Sequence, residues 1–107
     1  MSSFDEREQS FERKFQHDQE LAFKARARRN RLFGLWVAGH LGLSGEAADA
    51  YAHDFVEADA VKRADERIIA KAADDLARKH VAVDAVRLRV ELDRFAAEAR
   101  RQVGGPK

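Results

Sequence analysis

Leu21-Ala22-Phe23-Lys24-Ala25-Arg26-Ala27-Arg28-Arg29-Asn30-Arg31-Leu32-Phe33-Gly34-Leu35-Trp36-Val37-Ala38-Gly39-His40 is the stretch that decides the fold. Leu21, Ala25, Arg28, Leu32, Leu35 and Gly39 repeat at intervals of four and three, and only Arg28 among them is polar. Phe23, Ala27, Phe33, Trp36 and Val37 widen this stripe toward a core face. That period belongs to an amphipathic helix, and Gly39 and Gly42 predict where it stops.

Outward from this helix the pattern repeats. Ser44 is placed to cap a second helix, with Glu46 in its first turn and Ala47, Ala48, Tyr51, Phe55 and Val56 on its apolar side, over Gly45 to about Glu57. Ala58 to Arg63 reads as a connection. A third helix fits Asp65 to about Lys79, with Ile68, Ile69, Ala72, Ala73 and Leu76 inward. A fourth fits Asp84 to about Gln102, capped by Asp84, with Val86, Leu88, Val90, Leu92, Phe95, Ala96, Ala99 and Val103 as its apolar set. No sustained two-residue alternation marks a strand. The one proline is Pro106, so no ring interrupts these helices. The expected fold is all-α: a four-helix bundle over residues 20–103, a frayed tail over 104–107 and an N-terminal arm over 1–19.

The arm is chemically distinct. Between Asp5 and Glu20 lie six acids and three bases, a net of −3, whereas Lys24 to Arg31 carries five bases and no acid. The only large apolar residues between Ser2 and Glu20 are Phe4, Phe11 and Phe15, seven and four apart and therefore on one helix face. So thin a face cannot stabilise a helix by packing, and the arm is expected to be disordered or partly helical, hence mobile, in the free protein. Each ring would contribute about 1.5–3 kcal/mol if buried. Two hosts are open on pattern alone: a partner's groove, or the protein's own bundle.

Several kinds of chemistry find no support. Without cysteine there is no disulfide or thiolate site. His17, His40, His53 and His80 are scattered one per segment, with none paired at helical ligand spacing. Threonine is absent, Ser44 reads as a cap, and Gly39 to Gly45 lacks the Gly-Lys-Ser/Thr ending of a phosphate loop. The chain therefore reads as a binding protein, not an enzyme, with no cofactor. The net charge of +1 argues against general nucleic-acid binding. No signal peptide and no membrane-spanning run is visible, which points to a cytoplasmic protein without direct membrane insertion. Arg26, Arg28, Arg29 and Arg31, with Trp36 or Tyr51 stacking, form a second candidate site, for a nucleotide or other phosphate ligand.

A family resemblance runs through the same residues. Phe4-Asp5, Arg7, Phe11-Glu12, Lys14-Phe15, His17-Asp18 and Glu20-Leu21 lead into Phe23-Lys24, Ala27-Arg28-Arg29-Asn30 and Gly34-Leu35-Trp36, followed by Leu41-Gly42, Gly45 and Ala50-Tyr51-Ala52. This resembles the zeta subunit family of alphaproteobacterial F-type ATP synthase inhibitors, densely over Met1 to Phe55 and more loosely beyond, where Ala73-Asp74-Asp75-Leu76 is similar to the family's third helix. The resemblance implies a four-helix bundle with a mobile arm that inhibits ATP hydrolysis by wedging into a catalytic interface of the synthase head, among its alpha, beta and gamma subunits. It implies that Phe4, Asp5, Arg7, Phe11, Glu12, Lys14 and Phe15 form the inhibitory face, and that the protein lies peripheral to the inner membrane through the synthase. Ala58 to Arg63 departs from the family in being more basic than its acidic connection.

Overall fold

The structure, a computed structural model, describes residues 3–58 and 63–104, with side chains from residue 13 onward except Phe15. Four helices make up the fold, and no strand occurs among the described residues: α1 (Ser3–His40), α2 (Gly45–Glu57), α3 (Ala64–Arg78) and α4 (Ala85–Gly104). The all-α, four-helix expectation holds, and the helix ends fall within two residues of those read from the sequence. Two of the ends have a visible cause. α1 stops with the Gly42 N–H bonded to the Gly39 carbonyl at 3.1 Å and the Leu43 N–H to the Ala38 carbonyl at 2.9 Å, a paired closure that needs a left-handed residue, supplied by Gly42 at φ +81°. α3 ends with the same pair of bonds, His80 to Ala77 and Val81 to Leu76, but here the left-handed residue is His80 at φ +60°.

Asp84 caps α4 as expected, accepting the Arg87 N–H at 2.9 Å. Ser44 occupies the N-cap of α2 in extended backbone, yet its hydroxyl makes no capping hydrogen bond. Most of the connection between α2 and α3, residues 59–62, lies outside the described residues.

The core lies beside the C-terminal half of α1. Phe33 and Val37 meet Phe55 of α2, Ile68 and Leu76 of α3, and Leu88 and Leu92 of α4, all essentially without exposure. Phe33 and Phe55 pack edge to face at 5.8 Å. Gly34 lets α2 come close, since a Cβ there would stand 2.8 Å from the Ala52 Cα.

The buried side of α1 differs from the one the periodicity selected. Arg29, Asn30, Phe33, Gly34, Val37 and Ala38 are buried, roughly half a turn from the line Leu21, Ala25, Arg28, Leu32, Leu35 and Gly39. Of that line, Arg28 and Gly39 are exposed and the rest half-buried. Counting apolar residues passed over Arg29, Asn30 and Gly34, yet these line the contact. Arg29 is neutralised by Asp65 across the bundle, with Nη2–Oδ1 at 2.7 Å and Nη1–Oδ2 at 3.3 Å, and its Nε donates to Asn30 Oδ1 at 2.9 Å. Phe23, expected on the core face, is 63% exposed. Val86 and Val90 are 73% and 55% exposed, because both stand on the side of α4 away from the buried Leu88 and Leu92. On α2, Ala47 is exposed and Ala52 buried.

Candidate functional site

α1 has 38 residues and a length of about 57 Å, which accounts for most of the molecule's 66 Å long axis. The other helices cover only part of it. Every described side chain from Arg13 to Glu20 is exposed, and burial begins at Leu21 and becomes complete at Asn30. At about 100° per residue, backbone positions 4, 11 and 15 fall within about 20° of positions 22, 29 and 33. The three phenylalanine positions of the arm therefore continue the same side of the helix that holds Arg29 and Phe33 in the bundle. That side is filled at Phe33 and reaches a groove at Ala22, and the described side chains ahead of it, from Arg13 to Glu20, are exposed.

Of the expected inhibitory face, the backbone of Phe4, Asp5, Arg7, Phe11, Glu12, Lys14 and Phe15 belongs to α1. Lys14 is exposed. The side chains of the other six lie outside the described residues.

The second candidate set is dispersed. Arg26 and Arg28 are exposed. Arg29 is buried and chelated by Asp65, and the hydrogen bond from Arg29 is what chiefly holds the Asp65 carboxyl below its usual range. Arg31 reaches Asp49 of α2 at 3.3 Å. Trp36 stacks on Phe33 at 6.1 Å, meets His40 edge to face at 4.4 Å and has the Arg87 guanidinium 5.7 Å from its ring. The Tyr51 hydroxyl donates to Asp75 Oδ2 at 2.6 Å, and Lys71 donates to the same oxygen at 3.1 Å. Burial, reinforced by that carboxylate, pushes the Tyr51 phenol far up, so it stays protonated. Burial pushes Asp75 up, but the hydrogen bonds from Tyr51 and Lys71 outweigh it and hold the acid below its usual range. Glu91 behaves alike: burial opposes its charge, and Arg94 and Arg87, both within 3 Å, keep it ionised. Arg29, Trp36 and Tyr51 are thus engaged in holding helices together.

Sequence reasoning missed a groove between the start of the covered part of α1 and the end of α4. Leu21, Ala22, Ala25, Ala96 and Val103 line it, together with Arg26, Arg29 and Arg100. The alignment of positions 4, 11, 15, 22, 29 and 33 was legible as a signal for the α1 side, but nothing in the sequence says that α4 ends there.

Among the described residues, no three His, Asp or Glu side chains come together as a metal site. No described helix is long and apolar enough to cross a membrane. A comparison with protein families matches residues 1–102 to the model described as ATPase inhibitor subunit zeta. A search of the curated proteins finds no match.

Proposed function

The chain belongs to the ATPase inhibitor subunit zeta family, and from that premise we propose that it suppresses ATP hydrolysis by inserting its N-terminal arm into a catalytic interface of the synthase head. The match over residues 1–102 carries this reading, because it spans the arm as well as the bundle. The form of α1 supports it. The described side chains from Arg13 to Glu20 stand exposed, ahead of the bundle that begins to bury α1 at Leu21.

An arm of this kind acts by occupying space. Phe4, Phe11 and Phe15 enter apolar pockets where the alpha, beta and gamma subunits meet, as a helix lies in a groove. Asp5, Arg7, Glu12 and Lys14 set its register through charge, which contributes more to specificity than to affinity. Rotation in the hydrolytic direction is then blocked without any bond being made or broken, so the protein acts as a regulator. It works on the cytoplasmic side, peripheral to the inner membrane through the synthase. Ordering the arm costs about 2–5 kcal/mol, against about 4.5–9 kcal/mol from three buried rings. The phosphate-ligand alternative draws less support, since Arg29, Trp36 and Tyr51 already have partners inside the protein.

Titrating the purified chain into its matching synthase while following ATP hydrolysis tests the reading. The full chain should inhibit. A chain lacking residues 1–19 should not, while keeping the helical circular dichroism and melting of the bundle. Equal inhibition by the shortened chain would refute arm insertion.

A further inference from the structure

We propose that the inhibitory surface extends past the arm into the groove between α1 and α4, where it receives an apolar side chain flanked by a carboxylate on a helix of the same synthase head. This inference rests on the inhibitor reading above.

Three observations converge on it. The first is direction. Position 22, in the groove lining, shares its helix side with positions 4, 11 and 15 to within about 20°. A partner surface laid along the arm's phenylalanine positions therefore runs into the groove without turning. The second is shape. The open groove has a volume of about 430 Å³ between two helices, with Ala22, Ala25, Ala96 and Val103 among its lining. The small side chains among its lining, Ala22 and Ala25 on α1 and Ala96 on α4, leave room for a large one from outside, the arrangement in which a helix inserts an anchor residue.

The third is charge. Arg26 and Arg100 are also among the groove's lining. Arg100 is exposed, and no acid among the described residues pairs with it, in contrast to Arg101 on the next position, which is bonded to Glu98. An occupant bearing a carboxylate beside its anchor meets the Arg100 fork suited to it, while a basic occupant would be repelled.

Inhibition assays on the matching synthase with full-length variants altered in α4, outside the arm, test the proposal. Ala96→Trp fills the groove and should raise the half-inhibitory concentration about tenfold. Arg100→Glu, at an exposed position that leaves folding intact, should raise it about three- to tenfold at low ionic strength and less in 0.5 M salt. Arg100→Lys should recover part of the loss. Full inhibition by both Ala96→Trp and Arg100→Glu, with melting unchanged, would overturn the groove while leaving arm insertion standing. A free chain that sediments as a dimer, and becomes monomeric with Ala96→Trp, would also overturn it by assigning the groove to a second copy. No inhibition by the unaltered chain would remove the inhibitor reading and this one with it.

Discussion

Positions 15 and 33 stand five helical turns apart on one side of α1, and the described residues around each meet opposite surroundings. Around Phe33, three other helices close in. Phe55 packs against its ring, Gly34 admits Ala52, and the nearby Arg29 is neutralised by Asp65. Around position 15, Arg13, Lys14 and residues 16–20 are all exposed. Phe33 is core, whereas the described side chains flanking position 15 are exposed. One helix can thus run from an exposed stretch into a core without any change in its secondary structure. The difference lies in where the other helices end: α4 stops at Gly104, beside the start of the covered half.

Paired substitutions sharpen this contrast most. Phe33→Ala should destabilise the bundle by about 3–5 kcal/mol, because the ring is fully buried and its cavity cannot collapse freely. Phe15→Ala should leave denaturant unfolding of the bundle unchanged and weaken inhibition by up to about a hundredfold, the equivalent of about 2–3 kcal/mol at an anchor. Equal loss of stability in both would mean that the arm is packed on its own bundle, and the contrast would vanish.

Gly34→Ala should cost about 1–3 kcal/mol through overpacking, since the new methyl meets the Ala52 backbone at 2.8 Å. Gly39→Ala, on the same helix but with nothing within 4 Å of the added methyl, should be neutral or stabilising. Chemical denaturation of the two variants reads this difference directly.

Acid should act on the bundle alone. Asp65 and Asp75 are held below the ordinary 3.8 in the folded state, so each stabilises the fold fully once pH is well above that value. That contribution is lost as pH falls through 3.8 and on through the lower folded-state values. Melting temperature measured from pH 6 to pH 2.5 should therefore drop below about pH 4, equally with and without residues 1–19. Asp65→Asn should flatten the curve; an unaltered slope would show that the Arg29–Asp65 pair contributes nothing to acid sensitivity.

The smallest expected effect is a gain. His80 adopts φ +60° at the end of α3, where a residue with a Cβ is strained and glycine is not. His80→Gly should raise stability by up to about 1 kcal/mol, relieving a left-handed conformation that costs about 1–2 kcal/mol. A lower melting temperature would show that the exposed imidazole contributes more than the strain takes away.

Four helices and their ends were legible because they depend on local chemistry: the three-and-four period of apolar residues, the Asp84 cap, Gly42 at a left-handed turn, and the absence of proline before Pro106. The distinctness of the arm was legible for the same reason, since three phenylalanines among alternating charges are visible without a fold. Phe33 and Val37 were legible as core residues of α1, but the centre of its buried side was not. Period alone locates a stripe, but a helix covered by both α2 and α4 has more than one apolar side, and its deepest contact included Arg29, Asn30 and Gly34. Only the tertiary structure supplies Asp65 as the partner that makes a buried arginine tolerable, and Ala52 as the neighbour that makes a glycine necessary. The groove at the arm's base belongs to the same class of facts. Its walls come from residues more than seventy positions apart in the chain, and their meeting is decided by packing, which no local pattern encodes.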